Sequence, residues 1–240
     1  MWRRIVLPAI LSAVGALATV LTRALANDFN DQPVGVQVAT VAAGVISLGI
    51  GGVAILNGVA AIQEKTKADA YTALLATLAK IADSTGIAAT DLGLSAYHVK
   101  RCLLRPWRKK QLRITRVRLS NYPPRLTDWN WSKGVVGRCW KEKHHEVKFI
   151  RSESSYLGCT PKEWLEASDD ERWGMNYEEW QDTQRYALIM AYPVQAGDKY
   201  AGCVSLDTAK DDFVPTLLSE NVWTLLGDAA AAIGKSLGGA

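Results

Sequence analysis

The stretch KGVVGRCW, at Lys133–Trp140, decides how the polar part of this chain folds. Its two glycines bound two β-branched apolar residues, and a helix is predicted from Val135 to Lys143. A short strand is predicted at 147–150, where apolar residues flank a single lysine. The helix and the strand are therefore predicted to lie in the middle of a folded region, 87–240.

Four further strands are predicted, two on each side of this helix. They lie at 97–104, 112–119, 187–194 and 200–206. A turn with one proline and four basic residues is predicted at 105–110, a polar insertion covers 152–185, and a final helix with an apolar stripe covers 216–237. This pattern predicts an α+β domain at 87–240, in which an antiparallel sheet is flanked by helices.

The order of these motifs resembles that of the GAF domains, a family of small sensor domains in signalling proteins. The resemblance covers residues 87–238. Its motifs are KGVVGRCW at 133–140, EVKFI at 146–150, YPV at 192–194 and GCVSLD at 202–207, with Phe213 before a long helix. The resemblance implies a sheet with helices on one side and a ligand cavity on the other, pairing through the terminal helices, and a sensory or regulatory role.

Charge divides the chain into two unlike parts. Residues 1–62 hold only five charged side chains, whereas 63–240 hold the other 47. Two uncharged runs, 5–22 and 34–62, are each long enough to cross a hydrocarbon core, because even the shorter one spans about 27 Å as a helix. A short polar link between them suits a turn in water. The sequence therefore predicts a transmembrane helical hairpin at 1–62 that anchors the protein in a lipid bilayer.

Basic residues flank this hairpin on one side. Arg3 and Arg4 precede the first run, and Lys65 and Lys67 follow the second. By the positive-inside rule they predict a two-pass protein of the cell membrane, with its N-terminus and its C-terminal domain in the cytoplasm. One alternative stays open: residues 1–26 have the pattern of a cleaved signal peptide, since they end in ALA, like a cleavage site.

An amphipathic helix is predicted at 63–86, between the hairpin and the domain. Its apolar stripe consists of Ala70, Leu74, Leu75, Leu78 and Ile81. Small residues recur every four positions at 39–58, and such a stripe allows another helix to approach closely. The stripe at 39–58 and the helix at 63–84 are therefore the candidate surfaces for a homodimer.

Aromatic side chains cluster where the GAF resemblance implies the roof of a cavity. Such side chains can stack on a flat ligand, and the arginine and tryptophan of KGVVGRCW lie near them in sequence. The candidate ligand-binding residues are Trp129, Trp131, Arg138, Trp140 and Trp180. The sequence does not identify the ligand or a cofactor.

Basic side chains outnumber acidic ones by 16 to three in the segment 97–151. They either face the acidic segment 152–240 within one fold or contact anionic lipid, where each contributes about 1 kcal/mol. The candidate membrane-surface residues are Arg105, Arg108, Lys109, Lys110 and Arg113. No nucleic-acid partner is expected, because the neighbouring aromatic residues do not form a recognised RNA- or DNA-binding module.

One branch of the GAF family reduces free methionine sulfoxide, and it needs a nucleophilic cysteine inside the Gly-x-x-Gly segment. Val136 lies at the matching position, and an isopropyl group cannot replace a thiolate. Reductase activity is thus an alternative that the sequence argues against, and no catalytic residue is predicted. The four cysteines lack C-x-x-C spacing, so no metal site is predicted.

Together these observations predict a membrane-anchored sensory or regulatory protein, not an enzyme, whose cytoplasmic GAF-like domain binds a small ligand or a partner protein. A second hypothesis is a membrane effector, in which the transmembrane hairpin responds to a nucleotide signal bound by that domain.

Overall fold

A five-stranded antiparallel sheet organises the computed structural model, which describes residues 15, 34–102, 105–119, 131–143 and 147–238. Its strands are β1 (Leu92–Cys102), β2 (Arg105–Arg118), β3 (Val147–Ile150), β4 (Leu188–Ala196) and β5 (Lys199–Thr208). Their order across the sheet is β2-β1-β5-β4-β3, and neighbouring strands are antiparallel. The predicted α+β fold class, an antiparallel sheet flanked by helices, is confirmed.

Helices precede, interrupt and follow these strands. Within the described ranges they are α1 (Val34–Thr85), α2 (Gly134–Glu142), α3 (Pro161–Glu166), α4 (Tyr177–Thr183), α5 (Val214–Leu217) and α6 (Glu220–Gly238). The chain divides into two compact units, Met1–Thr66 together with Gly239–Ala240, and Lys67–Gly238. The sheet and helices α2 to α6 belong to the second unit.

The predicted membrane hairpin falls largely outside the described residues. Of its first run, 5–22, only Gly15 is described, and its second run lies within α1. Judged on the residues that the structure describes, no helix is long and apolar enough to cross a membrane. The hairpin therefore stays a prediction from the sequence.

The C-terminal part of α1, from Lys67 onward, contributes to the core of the second unit. Its buried positions recur every three or four residues, which places them on one face of the helix. They are Ala70, Leu74, Leu78 and Ile81, each at most 1% exposed, and they pack with buried residues of α6, β1, β4 and β5. Leu75, predicted to share this stripe, is 42% exposed because it points away from the face that these four residues define.

Strand alternation places a more polar set of side chains on the opposite face of the sheet. In β1, Leu94 and Ala96 pack in the core with α1 and α6, whereas Ser95 and Tyr97 point the other way. Helix α2 and the insertion 152–185 cover this second face. The buried residues there include Val135, Val136, Cys139, Phe149, Met175 and Cys203.

One predicted turn is wrong, because residues 105–110 lie in β2 and not between two strands. The strands β1 and β2 continue until Cys102 pairs with Arg105. Pro106 has no N–H to donate, but β2 is an edge strand, where a proline is tolerated. The exposed lysines that follow it also suit an edge, since charge opposes pairing with another chain.

Acid is expected to destabilise the protein through His98, a half-buried residue of β1. Burial, and to a lesser extent the charge of Lys100, lower the pKa of His98 from 6.5 to about 4. The unfolded state therefore takes up this proton first as the pH falls. The stability that neutral His98 provides is complete above pH 6.5 and is lost toward pH 4. Allowing for partial exposure, we expect a loss of roughly 1–2 kcal/mol.

Urea unfolding of the wild type and of His98→Gln, each at about pH 7 and pH 4.5, measures this effect. Acidification should lower the free energy of unfolding of the wild type by roughly 1–2 kcal/mol more than that of the variant. Equal losses in the two proteins would mean that His98 does not contribute.

Candidate ligand-binding cleft

A cleft opens on the polar face of the sheet, against the start of α2 and the insertion. Its enclosed cavity volume is about 70 Å³, and the cleft is partly open to solvent. Side chains of β1, β2 and β5 line it from the sheet, and side chains of α4 and of the residues after α4 line it from above. The enclosed volume is smaller than that of a typical ligand pocket, so a ligand bound here would also occupy the open side of the cleft.

A bulge in β2 brings two arginines to the same side of this cleft. In a regular strand, residues three positions apart point to opposite faces. The register of β2 against β1 shifts by one residue, however, and Ile114 has no partner in β1. As a result, Arg113 and Arg116 both line the cleft.

Asp207, near the end of β5, is the anionic partner of the β2 arginines. Its carboxylate forms ion pairs with Arg118 and with Arg116, and the distance from Arg116 Nη2 to Asp207 Oδ2 is 3.4 Å. The three side chains are at most 14% exposed. A Cβ atom on Gly93 of β1 would lie within 2.7 Å of both Arg118 and Asp207. A glycine at position 93 therefore allows this ion-pair cluster to close.

Arg116 keeps hydrogen-bonding capacity that Asp207 does not use. Its Nη2 atom lies 3.4 and 3.5 Å from the two carboxylate oxygens, at the outer limit for a hydrogen bond. Its Nε atom is buried and has no hydrogen-bond partner among the described residues. The contact of Arg116 with the Asp207 carboxylate is therefore long, and the same side chain also hydrogen-bonds to Tyr186.

Tyr186 lies among the same arginines. The guanidinium carbons of Arg185 and Arg118 are 4.9 and 5.7 Å from its ring centroid, and Arg185 Nη2 donates to its hydroxyl oxygen at 3.0 Å. Burial raises the pKa of Tyr186, but the positive charges of Arg116, Arg185 and Arg118 outweigh this effect and lower the pKa overall. The lowered pKa indicates a positive potential at this end of the cleft.

The other end of the cleft is apolar. Strands β2 and β3 are the two edges of the sheet, so the arginines of β2 and Phe149 of β3 lie at opposite ends. Phe149 contacts Trp173 edge to face, with ring centroids 6.1 Å apart, and Met175 lines the cleft beside them. Tyr97 of β1 is buried between the two ends, and burial raises its pKa. The cleft thus joins a cationic end to an aromatic end.

The residues predicted to bind a ligand are placed elsewhere in the domain. Trp129 lies outside the described residues, Trp131 is 56% exposed, and Trp140 is half-buried. The guanidinium of Arg138 lies 4.1 Å from the ring centroid of Trp173 and pairs with an acidic residue of the insertion. Trp180 is 1% exposed in the core. None of the four described residues lines this cleft, although Arg138 contacts Trp173, which does. A role for these residues stays a prediction.

The structure places the candidate membrane-surface residues in two different surroundings. Arg105 and Arg108 lie in the edge strand β2, and Lys109 and Lys110 are exposed on it. Arg113 instead lines the cleft, with its guanidinium carbon 5.9 Å from the ring centroid of Tyr97. Lipid contact at these positions stays a prediction from the sequence.

The cysteine side chains near the cleft are buried. Cys139 and Cys203 are 0% exposed, and burial raises the pKa of Cys203 well above its ordinary value. Gln111 donates to the Cys203 sulfur at 3.2 Å. Within the ranges that the structure describes, no group of three or more His, Cys, Asp or Glu side chains is arranged to hold a metal ion.

Trp180 is expected to stabilise the fold. Its ring stacks on that of Trp164 with centroids 4.7 Å apart, and its Nε1 donates to the carbonyl of Tyr156. Trp180→Ala should therefore lower the free energy of unfolding by about 3–5 kcal/mol. Trp131→Ala is the matched control, and at an exposed site it should change stability by less than about 0.5 kcal/mol. Chemical unfolding of both variants measures the difference, and similar small effects would contradict the core assignment.

The solved structures that are similar to this chain include two GAF domains. The phycocyanobilin-bound GAF domain from a cyanobacterial phytochrome is 10% identical, with a TM-score of 0.42 over 74% of this chain and 94% of that chain. The phycoerythrobilin-bound GAF domain from a cyanobacterial phytochrome is 12% identical, with a TM-score of 0.39 over 74% of this chain and 95% of that chain. No protein-family model and no curated protein matches the chain. Both of these structures are described as GAF domains, and the bilins are ligands of those two proteins.

Proposed function

We propose that the unit Lys67–Gly238 is a sensory or regulatory domain that binds a small ligand in the cleft. The observation that carries this proposal is a set of buried polar side chains that reach the cleft from separate segments of the chain. Ser95, Thr183, Ser205 and Asp207 line it, and each is at most 7% exposed. Internal partners hold two of them in place, since Thr183 donates to the carbonyl of Glu179 at 2.8 Å and Asp207 pairs with Arg116 and Arg118. Ligand sites combine an apolar wall with a few such groups.

Native mass spectrometry of the full-length chain, released from detergent, tests this proposal. We expect the wild type to retain a small molecule, and Ile189→Trp, which enlarges a side chain of the cleft wall, to lose it. The thermal unfolding midpoint of the variant shows whether its fold is intact. A wild-type chain that retains nothing, even after incubation with a small-molecule extract of its host cells, would count against ligand binding.

We also propose that the chain is anchored in the cell membrane by two passes, with its N-terminus and the domain in the cytoplasm. The support is the sequence, which has uncharged runs at 5–22 and 34–62 with basic residues at their ends. A membrane-impermeant maleimide should label the native cysteines only after lysis of the cells. A cysteine introduced at Asn30, in the link between the runs, should be labelled in intact cells. The reverse pattern would overturn the topology.

A homodimer is the partner that we propose for α1. Tyr71 and Leu75 lie one helical turn apart and are 45% and 42% exposed, although both are large and apolar. The small residues at 39–58 are a second candidate surface for a homodimer. Leu75→Glu should convert a dimer of the full-length chain into a monomer in light scattering, whereas Lys80→Glu should not. A wild-type chain that is already monomeric would count against the dimer.

The proposed role requires no catalytic step, and we propose that the domain is not an enzyme. Val136 at the nucleophile position of the GAF-type reductases supports this, as does the burial of Cys139 three residues later. Reduction of free methionine sulfoxide by the purified chain would overturn it.

A further inference from the structure

We propose that Trp173 is a gate between the cleft and a neighbouring pocket, that Arg138 holds this gate closed, and that opening it joins the two spaces into a site large enough for a ligand. This inference rests on the proposed function, because it assigns a means of regulation to that same cleft.

A second pocket adjoins the cleft at its aromatic end. It has a cavity volume of about 230 Å³, compared with about 70 Å³ for the cleft, and both are partly open to solvent. Among the described residues, Phe149 and Trp173 are the two that line both spaces, so their rings form the wall between them. Ligand pockets usually enclose about 300–1,000 Å³. Neither space reaches this range alone, whereas the two joined come to its lower end.

Trp173 is the less firmly held of the two wall residues. Phe149 is only 5% exposed, lies in β3 and contacts both Trp173 and Trp180 edge to face. Trp173 is half-buried in a turn between α3 and α4, and its φ of 53° is unfavourable for a residue with a side chain. Its carbonyl accepts a 2.7 Å hydrogen bond from the N–H of Gly134, which fixes the backbone but not the ring. Side-chain contacts therefore decide where the ring lies.

Arg138 of α2 supplies such a contact. Its guanidinium carbon lies 4.1 Å from the ring centroid of Trp173, within the range of a cation–π interaction. The same guanidinium donates to the carbonyl of Asp170 and lies 3.5 Å from its carboxylate. Arg138 thus binds both the ring and the turn that carries it. Loss of this arginine should shift Trp173 toward the open position without removing a residue that lines the cleft.

Alkylation of a cysteine placed inside the cleft measures how often the gate opens. Val135 lines the cleft and is 4% exposed, so Val135→Cys introduces a thiol that reacts when the cleft opens. The full-length chain with this substitution is treated with iodoacetamide, and the rate at each cysteine is read by mass spectrometry of its peptides. Native Cys203, 0% exposed in the core, reports unfolding of the whole domain in the same sample.

Arg138→Gln, added to the Val135→Cys chain, should raise the alkylation rate at position 135 by roughly two- to fivefold, the factor expected from one partly exposed cation–π contact. The rate at Cys203 should stay unchanged. Trp173→Ala should raise the rate at 135 further, because no ring is left to close the wall. Lys141→Gln is the matched control, since Lys141 lies one turn along α2 and pairs with the same aspartate at 3.9 Å, and it should leave the rate unchanged. If Cys203 reacts faster in Arg138→Gln, Arg138→Lys serves as the second variant, because lysine keeps the charge but stacks less well on a ring.

The connection to the second pocket is tested with the same thiol. Ser155 lines that pocket and is exposed, so Ser155→Trp fills the pocket without disturbing the core. In the Arg138→Gln chain it should reverse most of the increase in alkylation rate at position 135. Ser152→Trp, at an exposed position outside both linings, should not.

Equal alkylation rates at position 135 with Trp173 and with Trp173→Ala would overturn the gate. Equal increases in Arg138→Gln and Lys141→Gln, or no effect of Ser155→Trp, would also overturn the proposal. These outcomes leave the proposed function intact, because retention of a molecule by the wild type and its loss in Ile189→Trp are measured without alkylation. The two proposals therefore fail separately.

Discussion

A chain that begins at residue 87 is expected to lose cooperative unfolding, although the sequence alone predicts that the domain starts there. It would lack the part of α1 that is buried against α6 and the sheet. Deleting one large aliphatic side chain from a core costs about 2–5 kcal/mol. Three such side chains and Ala70 would be removed together, at Leu74, Leu78 and Ile81. The sum is comparable with the roughly 5–15 kcal/mol that stabilises a whole domain.

Circular dichroism during thermal unfolding of the chains 63–240 and 87–240 measures this effect. The longer chain should show a sigmoidal transition, and the shorter one none or one at a much lower temperature. Leu74→Ala and Leu75→Ala in the longer chain form a matched pair of neighbours, 0% and 42% exposed. The first should cost about 2–5 kcal/mol, the second much less. Equal transitions in the two chains would show that α1 is dispensable for the fold.

This arrangement changes how a signal could pass between the cleft and the N-terminal part of the chain. The sequence predicts an amphipathic helix at 63–86, between the hairpin and the folded domain. In the structure the same segment is both continuous with the rest of α1 and part of the domain core. Leu75→Pro would break a helical hydrogen bond and cost about 3 kcal/mol or more. We therefore expect Leu75→Pro to lower the unfolding temperature of the domain. We also expect it to interrupt the passage of a signal between the cleft and the N-terminal part of the chain.

Local patterns were sufficient to predict most of the elements. The helix predicted at 135–143 occurs as Gly134–Glu142, and the strand at 147–150 is confirmed. The start of β1 at Leu92 was missed because LGLSA contains a glycine and a serine, which are not typical strand residues. The final helix is interrupted after Leu217, beyond Pro215, whereas its apolar stripe predicts one continuous helix.

The cleft could not be predicted in the same way, because it depends on contacts between distant residues. The basic face of β2 is visible in the sequence, but the bulge at Ile114, which unites Arg113 and Arg116, follows from pairing with β1. Asp207 carries a local signal, since an aspartate at the end of an apolar strand requires a partner. The identity of that partner, 91 positions earlier at Arg116, is set by the sheet. The clustering of aromatic residues in the sequence instead predicts Trp180 as a ligand-binding residue, but Trp180 packs in the core.

Asp207→Ala is expected to lower the free energy of unfolding by about 3–5 kcal/mol, because removing one partner of a buried ion pair leaves the other charge uncompensated. Two guanidiniums would be affected, those of Arg116 and Arg118, whose side chains are only 14% and 6% exposed. Urea unfolding at low ionic strength is the appropriate measurement. Guanidinium chloride is unsuitable as the denaturant because it is a salt and screens the interaction between the charges.

The double variant Asp207→Leu with Arg118→Met separates a broken ion pair from a changed shape. Replacing both partners of a buried pair by apolar groups of similar volume is often neutral, so the double variant should recover much of the stability that Asp207→Ala loses. Arg116 remains in it without its carboxylate partner, so the recovery should be incomplete. A loss below about 1 kcal/mol in Asp207→Ala would place this cluster among the ion pairs that contribute little to stability.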